Sequence, residues 1–136
     1  MANAIENYDV IWWVNAETKN SLMKAYRGFA KNSRIGLRVV EGEWSIVQDA
    51  VKGWFDDNKD KRFLVIFDNV DFKNKEAFDE LSSNLPPRGC GHVLITTRDE
   101  EVWKNLKAEK VDVTEFKPEE AVDFLEKRLE PIPKPF

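Results

Sequence analysis

Residues 63 to 71 read FLVIFDNVD, five apolar residues followed by Asp68, Asn69, Val70 and Asp71. A buried strand that ends in a carboxylate can present it to a magnesium ion, directly or through water, and an arginine at the end of an adjacent strand can reach phosphate oxygens. Thr97 and Arg98 follow a second apolar run, and Asn15 follows a third. In an open parallel sheet, ligands sit beyond the carboxyl ends of the strands, where all of these residues fall. Taken alone, an apolar run plus Asp is more often a turn than a ligand site, because Asp and Asn side chains hydrogen-bond the backbone where a strand enters a loop.

The elements that would position these residues alternate between two periodicities. Val10 to Val14 is a short β-branched and aromatic run, and the segment after it sets Leu22, Met23, Tyr26, Phe29 and Ala30 at helical spacing. Val47, Ala50, Val51 and Trp54 repeat the helical pattern, a charged turn covers Asp56 to Arg62, and Phe63 to Phe67 is the second strand. Phe78, Leu81 and Leu85 mark a short helix stopped by Pro86 and Pro87, ahead of a third strand at His92 to Thr97. A weaker helix follows at Asp99 to Leu106, and Val111 and Val113 predict a fourth strand. Pro118 then suits a first helical position, with Ala121, Phe124, Leu125 and Leu129 as a buried stripe. Strands alternating with helices imply parallel βαβ units, so the fold class is α/β with about four strands and flanking helices.

The chain has 136 residues, 42% hydrophobic and 34% charged, which suffices for one core and not for two ordinary domains. We expect one domain over residues 1–130 and a proline-rich, linker-like tail over 131–136. The net charge is −4, with 21 Lys and Arg interspersed among 25 Asp and Glu. That mixture argues against sequence-independent nucleic-acid binding. The lone cysteine, Cys90, rules out an intrachain disulfide and suits a reducing compartment, and no apolar run is long enough for a membrane. A cytoplasmic location is the expectation.

The order of the segments carries a resemblance. YDVIWWVNAET, FLVIFDNVD, GHVLITTRD and VDVTEFKPEEAVDFLEKRL, in this order and spacing, resemble the NB-ARC nucleotide-binding core of STAND ATPases, the switch module of apoptotic and immune-receptor proteins. The resemblance runs from about Tyr8 to Leu129. It implies a P-loop-NTPase-like, three-layer or partial fold that binds Mg-ADP or Mg-ATP. By it Asp68 is the Walker B magnesium carboxylate and Arg98 the sensor arginine facing the terminal phosphate, with Asn69 and Thr97 beside the nucleotide. Many members carry a second acid at the position of Asn69, and an amide cannot take a proton as a carboxylate can, which argues against hydrolysis.

The phosphate-binding loop of the family, Gly-x-x-x-x-Gly-Lys-Ser/Thr, has no counterpart in these 136 residues, since glycines 28, 36, 42, 53, 89 and 91 include no such pair. The loop amides and lysine supply most of the grip on the phosphates. We therefore expect no cofactor on this chain alone and assign no catalytic residue. In the resembled fold the family's first strand lies between the third and fourth strands seen here, so its loss leaves unpaired edges. The first helix covers one sheet face, while Val10 to Val14 and Phe63 to Phe67 are apolar on both sides. Exposed edges and apolar patches favour association, so a homo-oligomer, most simply a dimer, or a complex with another NB-ARC protein is expected. Two alternatives stay open: an ATPase core cut from a longer receptor that supplies the loop, and an α/β binding module for some other ligand.

Three other features have plainer readings. Cys90 and His92 lack a third orienting group for thiol chemistry and read as structural. The tryptophans read as core packing, with Trp44 unplaced. Residues 56 to 60 lack the glycine and closing glutamate of a calcium loop and read as a solvated turn.

Overall fold

The structure, a computed structural model, describes residues 7–32, 35–37, 42–89 and 91–128. Three strands form one parallel sheet in the order β1 (Val10–Asn15), β2 (Phe63–Val70), β3 (Gly91–Thr97). In register, Trp12 lies beside Val65 and Val65 beside Val93, while Trp13 lies beside Ile66 and Ile66 beside Leu94. Side chains alternate across a strand, so these two rows face opposite sides of the sheet.

The side bearing Trp12, Val65 and Phe67 holds the core. Helix α1 (Lys19–Lys31) starts at a capping box in which Thr18 Oγ1 accepts the Ser21 N–H while Ser21 Oγ accepts that of Thr18, and it buries Leu22, Tyr26, Phe29 and Ala30 as their spacing predicts. Helix α2 (Trp44–Asp57) buries Val47, Val51, Trp54 and Phe55. The Trp12 ring lies 4.3 Å from Phe29, tilted, and 4.8 Å from Tyr26, edge to face, and Phe55 meets Phe63 edge to face at 4.8 Å, an aromatic cluster that joins both helices to the sheet. Helix α3 (Lys75–Ser83) is capped by Asn74 and adds Ala77, Phe78 and Leu81. It stops two residues before Leu85, which packs on the core from the following loop.

Trp44, unplaced by the sequence, opens α2, and its Nε1 donates to Glu80 of α3 at 2.7 Å. Glu80 also accepts from Gln48 and pairs with Lys19 at 3.5 Å, so one carboxylate ties three helices. Helix α4 (Glu100–Leu106) is capped by Asp99 and inserts Val102 into the same core. Gly91 enters β3 where a Cβ would collide with the backbone oxygen and ring of Phe63, so a glycine is required there.

Three expectations are corrected. No fourth strand forms at 111–116, and Val111 and Val113 are 85% and 94% exposed. A strand is stabilised by a neighbouring ladder, and the open side of β3 has no strand beside it among the described residues. The last helix, α5 (Pro118–Arg128), begins at Pro118 as predicted, but none of its residues is buried, so the stripe of Ala121, Phe124 and Leu125 is unpacked. Leu129 and the tail at 131–136 lie outside the described residues. Finally, Trp13, read as core packing, is 61% exposed on the uncovered side of β1, where Ile11 at 44% and Leu94 of β3 at 52% are open as well. On the open side of central β2 only Ile66 is buried, between Trp13 and Leu94 in the sheet, while Leu64 is half-buried. The partial form of the expected layered arrangement is therefore a sheet with helices over one face and an apolar second face left open.

Candidate functional site

The predicted site lies where β2 and β3 end. Register between these strands runs evenly to Phe67 opposite Ile95, then skips so that Val70 lies opposite Thr97. The extra residue forms a bulge at Asp68 and Asn69, and Asn69 takes φ 63°, in the left-handed region. Asparagine tolerates that region better than most residues, so its identity here has a backbone reason independent of proton transfer. The bulge is tied down from β3: the Thr96 hydroxyl donates to Asp68 Oδ1, and the Asn69 N–H donates back to Thr96 Oγ1 at 2.9 Å. On the other flank the Asp68 carbonyl accepts the Ala16 N–H at 2.8 Å, which holds the end of β1 in place.

The remaining strand-end residues divide by use. Asn15 Oδ1 accepts the Glu17 N–H at 3.0 Å and Asp71 Oδ1 accepts the Lys73 N–H at 2.8 Å, both turn contacts within the local backbone. The Thr97 hydroxyl donates to the Val70 carbonyl at 2.7 Å and accepts the Asp99 N–H at 2.9 Å. Its capacity is taken up in joining β2, β3 and the start of α4. Arg98 is exposed and has no hydrogen bond or ion pair among the described residues. It lines an open cleft of about 510 Å³ whose charged walls are Asp71, Lys73, Arg98, Asp99, Glu100 and Glu101. Four acids against two cations make this cleft net negative by two, an unfavourable setting for bare phosphate.

Asp68 does not line that cleft. By alternation from Ile66 its side chain belongs to the open sheet face, at the rim nearest Trp13 and Leu94. The structure thus brings Asp68, Asn69 and Thr96 together, and Asn69 also lines the acidic cleft with Arg98, whereas Asp68 does not. Thr96 is the participant that sequence reading missed; its signal is its place one residue before Thr97, on the same sheet face as Asp68. Among the described residues no three His, Cys, Asp or Glu side chains gather as a metal cage. Asp68 Oδ2 has no partner among the described residues, so this carboxylate is able to hold a magnesium ion whose other ligands come from phosphates and water.

At the other end of the open face, the Tyr8 hydroxyl and His92 Nδ1 are 2.9 Å apart, with the rings edge to face. His92 is therefore paired with Tyr8, and Cys90 lies outside the described residues. The 56–60 segment is a helix end and turn with a Lys59–Asp56 ion pair of 3.4 Å. No helix among the described residues is long and apolar enough to cross a membrane.

A parallel sheet in the order β1-β2-β3, helices on its flanks and a carboxylate at the end of the central strand define an α/β domain of P-loop-NTPase-like arrangement. Within that class, residues 1–132 match the NB-ARC domain, and the chain belongs to this family of signalling, nucleotide-binding domains. No curated protein matches the chain.

Proposed function

We propose that these 136 residues act as an interaction or regulatory module of the NB-ARC family, associating in the cytoplasm with a second copy or with another NB-ARC chain, and that they do not hydrolyse nucleotide by themselves. The observation that carries this reading is the open sheet face, where Ile11, Trp13 and Leu94 stand exposed around half-buried Leu64. Covering a side chain of this size is worth about 1.5–3 kcal/mol, so a partner that seats on the face gains several such terms. The site at β2 supports the second half of the proposal. Asn69 has no carboxylate to activate water, the neighbouring cleft is acidic, and no glycine-rich loop with its lysine occurs in these residues.

Light scattering over a concentration series tests this. The wild-type chain should give a dimer that Trp13→Lys converts to monomer, because Trp13 is mostly exposed and its replacement spares the core. A wild-type chain that stays monomeric at high concentration contradicts the reading. The unpartnered Asp68 Oδ2 and the free Arg98 favour a second one, in which a longer chain supplies the phosphate loop and these two side chains complete its magnesium-nucleotide site.

A further inference from the structure

Helix α2 begins without the devices that usually hold a helix start. Thr18, Asn74 and Asp99 cap α1, α3 and α4 through their side chains, whereas Glu43 at the head of α2 makes no such bond, and the first turn of α2 carries no acidic residue. The first N–H groups of a helix lack partners within it, so an uncapped start frays unless something else holds it. The two ends of α2 are also held differently. Its C-terminal half is seated by apolar burial, with Val51, Trp54 and Phe55 in the core and Phe55 against Phe63 of β2. Its first turns are held by polar contacts.

Those contacts converge on Glu80 of α3, whose side chain is 16% exposed. Its Oε1 accepts from Trp44 Nε1 at 2.7 Å, from Gln48 Nε2, and from the buried Asn84 Nδ2 at 3.2 Å, while Oε2 lies 3.5 Å from Lys19 Nζ. All four groups are donors, so only a carboxylate suits them. Trp44 in turn packs edge to face on the buried ring of Tyr26 at 5.6 Å, and the Tyr26 hydroxyl donates to the Asn84 carbonyl at 2.6 Å. Just ahead of the helix, Arg27 Nη1 donates to the Gly42 carbonyl at 3.0 Å, which leaves the first turns themselves to Glu80.

We propose that Glu80 is a conformational latch on α2. Residues 44–48 are held by this one carboxylate in place of a cap, and they open from it as a local unit while residues 51–55 stay seated in the core. Opening breaks the Trp44 and Gln48 bonds together, because both end on the same oxygen, and it uncovers Tyr26. Such a sub-global opening has a lower free energy than unfolding of the sheet. The latch is independent of the association proposed above.

Native-state hydrogen exchange of the full chain at low urea, read residue by residue by NMR, tests this. In wild type the Val47 and Gln48 amides and the Trp44 indole N–H should exchange faster than the Val65 and Phe67 amides of β2, through an opening smaller than global unfolding. Glu80→Gln should speed exchange at these three groups roughly tenfold or more, by the same factor as it weakens global stability, since the bonds it removes are those lost in the local opening. Glu76→Gln removes an exposed acid that also pairs with Lys19, at 3.3 Å, and should leave the three rates close to wild type. If the start of α2 exchanges only at the β2 rate in wild type, or keeps its wild-type rate in Glu80→Gln while global stability falls, the latch is overturned. Equal acceleration by Glu76→Gln would assign the effect to the charge of α3 and overturn it as well.

Discussion

The hydroxyl of Thr96 donates to the carboxylate of Asp68 and, through the same oxygen, accepts the backbone N–H of Asn69 at 2.9 Å. One side chain of β3 thereby fixes both the direction of the acid and the bulge that carries it. Thr96→Val keeps the shape and removes both bonds. It should lower the unfolding free energy by about 0.5–1.5 kcal/mol, measured by urea denaturation, because the site is exposed and water replaces part of the loss. An unchanged midpoint would show that the bulge holds itself.

Asn69 tests the origin of that bulge. Its φ of 63° is open to glycine and costly for a branched residue. Asn69→Gly should be close to neutral, and Asn69→Val should cost about 1–2 kcal/mol. Equal stability of the two variants would mean that the backbone there is extended in solution.

The expected fold was legible where the signal is local. Phe63 to Phe67 reads as a strand because branched and aromatic residues run together, and α1 shows its buried face in the spacing of Leu22, Tyr26 and Phe29. What the sequence does not carry is whether an apolar residue finds a partner. Val113 and Trp13 look as buried as Val65 and Trp12, yet they differ in whether another element lies against them. The Asp68–Thr96 bond is hidden for a similar reason, since it depends on which strands are adjacent and on a one-residue skip in register.

Tyr26 predicts a pH dependence. Its hydroxyl is buried, donates to the Asn84 carbonyl at 2.6 Å, and is pushed above the ordinary tyrosine value first by burial and then by the charge of Glu80. The unfolded chain releases this proton near pH ~10 while the folded chain retains it, so the unfolded state binds fewer protons there and stability falls as pH rises. The contribution is complete below about pH 10 and is lost progressively above it. Tyr26→Phe should cost about 1–3 kcal/mol at neutral pH, by stranding the Asn84 carbonyl, and should flatten the alkaline decline in melting temperature. A variant as alkali-sensitive as wild type would place the titration elsewhere.

The central claim is that this NB-ARC chain, as these 136 residues, associates through its open sheet and does not grip nucleotide. Calorimetric titration with magnesium and ADP or ATP tests it most directly. The account predicts no saturable heat at millimolar nucleotide. Micromolar binding that disappears in Asp68→Ala would contradict it and would establish a working magnesium-nucleotide site at the end of β2.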